Sequence, residues 1–389
     1  MRVLFLSPQP FFRVRGTPIN IRNVVGALGE AGHEVDLLCY PFGEEVSLPN
    51  VRVLRSPGVP GIRDVKVGPS AAKIPLDLLM AFKTFWLLAR GRYDVVHAVE
   101  ESAFFGAFFL RWFFRKPAFI YDMDSCISDQ LEYTGKLRGE SLLGGPALRW
   151  VEWLERRAIA RSNFVLTVCR SLSDVVRGMA PDARIVQIED APLEDEFVAD
   201  AAGAAALEAE FGPGPFVVYT GNLESYQGID LLVRAGALVT EPCTFLLAGG
   251  RPDQITELRS LAAELGAAER FHFAGSRPIA EMPAFYTVAD LLVSPRTQGG
   301  NTALKIYTYM QTGKAIVATD LDTHTQVLDP SSAFLAAAEP IAYAAALDAA
   351  LRDRADAAAR GTEARRLVME QYSLPMFKKR VVEAYQSLP

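Results

Sequence analysis

The chain is predicted to be an α/β protein built from two Rossmann-like, doubly wound domains, and three observations lead there. Short apolar runs alternate with helix-like runs through the first half, as they do in a parallel sheet with helices on both faces. At Ala199–Pro215 the composition shifts to ADAAGAAALEAEFGPGP, a poor strand region closed by Gly-Pro-Gly-Pro, and a second alternating series follows it. The 389 residues suffice for two or three domains of roughly 100 to 200 residues each. A hydrophobic content of 50% supplies their cores.

The first series places strands at Val3–Ser7, Glu34–Tyr40, Val51–Arg55, Val95–Val99, Ala118–Asp122, Phe164–Cys169 and Ile185–Ile188. Helix-like runs separate them, as in a parallel sheet with helices on both faces. The second places them at Phe216–Thr220, Thr244–Ala248, Arg270–Ala274, Leu291–Ser294 and Ala315–Thr319. Residues 1–195 therefore form an N-terminal domain, 196–215 a linker with one short helix, and 216–373 a C-terminal domain. Residues 374–389 form a last helix whose apolar stripe of Phe377, Val381, Val382 and Tyr385 packs back on the first domain. The two domains are expected to face each other across a cleft, with ligands beyond the carboxyl ends of the strands.

The net charge of −6 is uneven, with 24 Lys and Arg against 21 Asp and Glu in residues 1–190 and 16 against 25 thereafter. No basic stripe interleaved with aromatics occurs in either half, so nucleic acid is not an expected partner. The positive first half suits an anionic surface or acceptor. Val3–Leu6 is too short for a secretory core and Ser7-Pro8 breaks it, which predicts a cytoplasmic protein. Cys39, Cys126, Cys169 and Cys243 are scattered singly, so reduced and mostly buried thiols are expected rather than disulfides or a zinc site.

Ile74–Ala89 and Ala103–Phe114 are apolar, but Asp77, Lys83 and Arg111 interrupt them before the ~18 to 20 residues that a membrane span requires. The aromatics Phe104, Phe105, Phe108, Phe109, Trp112, Phe113 and Phe114, followed by Arg115 and Lys116, leave two readings: a helix buried between sheet and neighbour, or one resting on the inner face of a membrane. Trp150, Trp153 and Glu155-Arg156-Arg157 read as an amphipathic helix with a solvated face.

The stretch with the most chemistry is LLVSPRTQGGNTALKIYTYMQTGKAIVATD, Leu291–Asp320. Two buried strands are joined there through Gly299 and Gly300 and a helix that Asn301 or Thr302 is expected to cap and Gly313 to stop. Arg296 and Lys305 flank the helix start, where unpaired N–H groups and the helix dipole favour a phosphate.

Several segments together resemble the group 1, or family 4, glycosyltransferases of the GT-B fold. SPQPFFRVRGTPINIRNVVGALGEAGHEVDLL is similar to the opening strand, glycine loop and helix of that family, and YDVVHAVEE to its strand ending in a histidine. FVVYTGNLESYQGIDLLVRAGALV, FLLAGG, FHFAG, AFYTVADLLVSP and TGKAIVATD then follow in the family's order. The resemblance implies a retaining enzyme that moves a sugar from a nucleotide-sugar donor, bound mainly by the second domain, to a glycan or lipid-linked acceptor. No cofactor and no metal are implied, since in this fold protein groups stabilise the leaving diphosphate. Two alternatives of similar architecture are a catalytically silent nucleotide-sugar binder and a non-hydrolysing sugar-nucleotide epimerase.

Carried over residue by residue, the resemblance places donor contacts at Gly16, Gly221, Asn222, Gln227, Arg296, Gly300, Asn301, Thr302, Ala303 and Lys305. Arg296 and Lys305 would also act in catalysis, with His97 and Asp124 from the first domain. The chain departs from the family in three places. Asn222 and Gln227 stand where an Arg and a Lys are usual, Gly300 and Thr308 stand where two glutamates are usual, and IYDMDSCISDQ offers Asp122 and Asp124 in place of a histidine. Arg296 and Lys305 are expected to restore the missing positive charge. Asp122 and Asp124 also resemble an Asp-x-Asp metal site, but one pair is a poor set for a hard cation. His324 is expected to line the cleft after the last strand.

Overall fold

The computed structural model describes residues 1–12, 16–65, 72–133, 144–192 and 196–389. The chain divides into two compact units, Met1–Glu189 with Phe377–Pro389, and Asp190–Met376. The boundary expected at residue 195 lies outside the described residues.

Unit 1 begins with β1 (Arg2–Ser7), α1 (Gly16–Glu30), β2 (Glu34–Cys39), β3 (Val51–Arg55), α2 (Lys73–Arg90) and β4 (Val95–Val99). It continues with α3 (Ser102–Trp112), β5 (Ala118–Met123), α4 (Ile127–Tyr133), α5 (Gly144–Arg161), β6 (Phe164–Thr167), α6 (Arg170–Met179) and β7 (Ile185–Gln187). All seven strands pair in parallel in the order β3-β2-β1-β4-β5-β6-β7. The inner strands β1, β4, β5 and β6 are near-continuous apolar runs because both faces are covered, whereas the edge strand β3, with Arg52 and Arg55, is only half-buried. Leu4 and Leu6 face a core shared with α2, α3, α5 and α6, while Phe5, one residue out of phase, turns to the other face and stacks on His97 with ring centroids 4.1 Å apart.

In unit 2, α7 (Ala201–Phe211) occupies the expected linker and packs against α10 (Met282–Val288). Around them run β8 (Phe216–Thr220), α8 (Ile229–Leu238), β9 (Thr244–Ala248), α9 (Pro252–Glu264), β10 (Phe271–Gly275) and β11 (Leu291–Ser294). Then come α11 (Leu304–Thr312), β12 (Ala315–Thr319), α12 (Asp322–Thr325), β13 (Phe334–Ala336), α13 (Pro340–Arg352) and α14 (Arg354–Gln371). The parallel order is β10-β9-β8-β11-β12-β13. The three-residue β13, on the β12 edge, has no counterpart among the expected strands.

Helix α15 (Leu374–Gln386) carries the chain back to unit 1. Phe377, Val381 and Tyr385 are buried there. Lys378 reaches Glu30 at 2.9 Å and Arg380 reaches Glu189 at 2.9 Å. The four cysteines are free thiols, three of them buried, and burial raises the Cys39 and Cys126 pKa values to about 11 and 12. Among the described residues no helix is long and apolar enough to cross a membrane.

Candidate donor-side site

Strand order reverses between β8 and β11, and in open parallel sheets the loops leaving two such strands diverge to make a crevice at their carboxyl ends. Gly221, Asn222 and Gln227 lie in the loop after β8, while Arg296, Gly300, Asn301, Thr302 and Ala303 lie in the loop after β11 and Lys305 begins the helix behind it. The fold thus gathers the unit 2 candidates at one switch point. The two loops are closely joined: Thr297 N–H donates to Tyr226 O at 3.0 Å. A Cβ on Gly228, whose φ is +67°, would lie 2.0 Å from Pro295 O. Only a glycine lets the first loop approach the second in this way.

Helix α11 starts later than expected and is capped differently. Its N-cap is Ala303, with extended backbone and no side-chain cap, so neither Asn301 nor Thr302 has the expected role. Asn301 is used elsewhere: its carbonyl accepts from Arg296 Nη1 at 2.9 Å and Thr323 Oγ1 at 2.7 Å, and its Oδ1 accepts from Arg296 Nη2 at 3.2 Å. Thr302 is buried, and its hydroxyl has no partner among the described residues. Gly300 O accepts from Gln326 Nε2 at 3.0 Å. The Ile306 N–H turns back to Ala303 O at 2.9 Å, and with no capping side chain the earlier amides and the positive dipole end of α11 are what favour an anion there.

Lys305 is the second residue of α11. Its Nζ donates to Gln227 Oε1 at 3.1 Å and lies 3.8 Å from the centroid of the Tyr219 ring. The position where the family's lysine is missing is therefore reached by a lysine from another helix. Tyr219 also donates its hydroxyl to Asn222 O at 2.6 Å, fixing the loop that starts at Gly221. No carboxylate pairs with Lys305 among the described residues. Desolvation, together with the nearby Arg296 guanidinium, presses its pKa well below a lysine's ordinary value. A partly buried cation without an anion is costly to keep and marks a place where an anionic ligand would relieve the cost.

Arg296 is buried and has a positioning role that its sequence position did not foresee. Besides its bonds to Asn301, Nε donates to Gln298 O at 2.7 Å, and the guanidinium stacks 5.4 Å from the centroid of Tyr226. A Cβ at Gly299, where φ is +114°, would lie 2.2 Å from Arg296 Nη2. The guanidinium is the internal brace of the glycine loop. His324, expected at the ligand side, is fully buried beneath this loop. Its Nδ1 faces Thr319 O at 2.9 Å and its Nε2 faces Ser294 Oγ at 2.8 Å. The carbonyl requires an N–H on Nδ1, and burial pushes the pKa down to about 3, so the ring is neutral.

The unit 1 candidates behave differently. His97 is wholly buried, with Nε2 at 2.9 Å from Asp122 Oδ2 and Nδ1 at 2.7 Å from the Tyr385 hydroxyl. Both nitrogens are occupied inside the core, which removes it as a group that could touch a substrate. Asp124 lies just beyond β5 and accepts from Asn20 Nδ2 at 3.3 Å. Gly16 opens α1, and a Cβ there would meet nothing within 4 Å. Among the described residues, no neighbour demands a glycine at that position.

Tyr219 and Tyr226 escaped the sequence reading. An aromatic at the end of a buried strand looks like core, and only the fold shows which cation it supports.

Residues 15–190 match the sequence model described as "Glycosyl transferase 4-like domain", and residues 214–353 that described as "Glycosyl transferases group 1". A phosphatidyl-myo-inositol mannosyltransferase of Mycolicibacterium smegmatis is 24% identical over 407 aligned residues, covering 100% of this chain and 94% of the relative. A D-inositol 3-phosphate glycosyltransferase of Nocardia farcinica is 34% identical over 167 residues, 39% of this chain; the match spans only 36% of that relative's length. Among solved structures, sucrose-phosphate synthase from Thermosynechococcus elongatus shares the fold with a TM-score of 0.82 at 19% identity, covering 99% of this chain and 98% of the other. These likenesses give no support to the silent-binder or epimerase alternatives. With both halves matched by glycosyltransferase models and its architecture shared from end to end, the chain belongs to the group 1 glycosyltransferases of the GT-B fold.

Proposed function

We propose that the protein transfers a glycosyl group, with retention at the anomeric carbon, from a nucleotide-diphosphate donor held by unit 2 to a hydroxyl of a glycan or lipid-linked acceptor. The observation that carries this reading is Lys305: a cation with no carboxylate partner among the described residues, set at an uncapped helix start on the switch point and touching Gln227. When the bond from the anomeric carbon to the diphosphate oxygen breaks, its electron pair leaves with that oxygen. Negative charge then grows beside Lys305 and the first-turn amides, which are already oriented and need no reorganisation. Arg296 keeps the loop carrying those amides in shape, and the unpartnered Thr302 hydroxyl is available to a polar group of the donor. Gly300 and Thr308 bring no carboxylate, so sugar recognition rests on other groups.

Calorimetry with UDP, GDP and ADP checks the donor reading. One of the three is expected to bind, and heat from none would refute a nucleotide-diphosphate donor. A mass-spectrometric donor screen with a polyprenyl-phosphate-linked acceptor mixture then identifies the sugar moved.

The same reading assigns the leaving-group charge to protein groups, so turnover is expected to persist in EDTA. Complete loss of activity there, restored by magnesium or manganese, would transfer that role to a metal and promote Asp122 and Asp124 to its ligands.

A further inference from the structure

One helical layer of unit 1 carries an apolar load that the donor-side site does not use. Helices α2, α3 and α5 cover a single face of the sheet, since Leu76, Leu110 and Ile159 all enter the core that contains Leu4 and Leu6. Their outer sides should accordingly be polar, and they are not. On α2, Ile74, Leu78, Phe82 and Trp86 recur every fourth residue and are 61, 68, 70 and 44% exposed, a stripe running along one side of the helix. Phe85 packs edge-on against Phe109 and ties α2 to α3, where Phe108 and Trp112 are again exposed. α3 packs on α5, whose Trp150 and Trp153 also face outward. All four tryptophans of the chain lie on this layer, every one of them exposed.

The charge of the layer runs against that of the chain. Helix α2, α3 with the turn to Lys116, and α5 hold ten Lys and Arg against three Asp and Glu, in a protein whose net charge is −6; Lys73 is buried in an ion pair with Glu101 and Lys83 donates to Arg55 O, so the outward surplus rests on the other eight. Two of those carboxylates are occupied: Asp77 accepts from the Tyr40 hydroxyl at 2.5 Å, and the buried Glu155 accepts from Ile127 N–H at 2.8 Å and Ser128 Oγ at 2.6 Å. Guanidinium groups sit over the indoles, Arg90 at 4.5 Å from the Trp86 centroid, Arg111 at 5.5 Å from Trp112 and Arg157 at 5.1 Å from Trp153. An aromatic plane beside a cation matches the boundary where lipid phosphates meet acyl chains.

We propose that this layer docks flat on an anionic lipid bilayer, with the indoles and the α2 stripe in the headgroup boundary and the arginines on lipid phosphates. A second copy of the same layer would set one cationic surface against another, with the eight remaining Lys and Arg on each side, so self-association through this face is disfavoured. An anionic bilayer supplies both the apolar depth and the opposite charge. The inference uses no feature of the donor-side site and stands whether or not the chain transfers a sugar.

Because all the indoles lie on the docking layer, tryptophan emission of the full chain is a direct probe. With vesicles of phosphatidylglycerol and phosphatidylcholine at low salt, the emission is expected to shift to the blue, to be quenched by brominated acyl chains, and to recover as salt is raised. The paired exposed changes Leu78→Ser and Phe82→Ser are expected to weaken vesicle binding at least about tenfold, as loss of that much apolar area implies. Arg115→Gln with Lys116→Gln is expected to weaken it by about tenfold or more and to flatten the salt dependence. Unshifted emission with no flotation at low salt would overturn the proposal. So would emission already blue-shifted without lipid together with a concentration-dependent dimer in sedimentation, which would make the layer an interface between copies.

Discussion

Lys305→Met is expected to lower turnover by on the order of tenfold to a thousandfold, the range for losing one preorganised donor to a developing oxyanion. The loss should fall more on kcat than on nucleotide affinity, because the diphosphate carries more charge as it leaves than when it is bound in the donor. Arg296→Met should cost a comparable amount by another route. It removes the brace on Asn301 and Gln298, so the loop loses its shape and affinity falls together with rate. The depressed pKa of Lys305 adds a pH signature. Above that depressed value the ligand-free protein holds a neutral amine, so nucleotide binding takes up a proton and affinity declines as pH rises. The stability of the ligand-free protein moves the opposite way. Between the depressed folded value and the ordinary unfolded value, the unfolded chain binds a proton that the folded chain does not, so stability increases with pH across that window. Calorimetry in buffers of different ionisation enthalpy reads the proton uptake directly. Wild-type turnover and an unchanged pH profile in folded Lys305→Met would leave the diphosphate to backbone groups alone.

Gly249→Ala is expected to destabilise the protein by about 2 to 5 kcal/mol, from the strained backbone conformation and the overpacking together. Gly249 has φ +124°, and a Cβ there would lie 1.8 Å from the carbonyl oxygen of Gly221. That carbonyl belongs to the turn that starts the first donor-side loop, and Gly221 N–H is held by Ala248 O at 2.9 Å. Any relief of the clash therefore shifts Asn222 as well, and nucleotide affinity should fall with stability. Gly178→Ala is the control. It lies in α6, where a Cβ meets nothing within 4 Å, and should be neutral or stabilising by about 0.5 to 1 kcal/mol. Denaturant unfolding separates the two variants, and equal midpoints would show that the Gly221 turn is soft enough to move.

The strands were legible because burial on both faces leaves no polar alternation: runs such as Leu291–Val293 are apolar throughout and their partners are strands of the same kind. Phe334–Ala336 was not legible, since three residues leading into an alanine-rich tract carry too little pattern. The donor-side loop was recognisable from its glycines and its two cations, but not the division of labour between them. Arg296 turns inward on its own loop while Lys305 crosses to Gln227, a distinction that depends on side-chain direction rather than on spacing. The helix start was misplaced for a related reason: Asn301 has the chemistry of a cap but is held by Arg296 and Thr323. His97 sits in the middle of β4 rather than at its end, and its surroundings are decided by Tyr385, 288 residues further along the chain. The outward stripe on α2 is invisible to the length by which Ile74–Ala89 falls short of a membrane span, since length is silent about which side of a helix is covered.

Helix α15 places a late condition on the first domain. Unit 1 is assembled from both ends of the chain, with the whole of unit 2 synthesised in between. During synthesis, residues 1–189 emerge and can pair their strands, but the Nδ1 of His97 and the apolar surface around it stay open until Tyr385 leaves the ribosome. For that interval the nascent first domain exposes a polar atom that only water can meet and an apolar gap the size of a tyrosine ring, the kind of transiently exposed surface that makes chaperones necessary. Completion of the first domain's core therefore waits until unit 2 and α15 have been made.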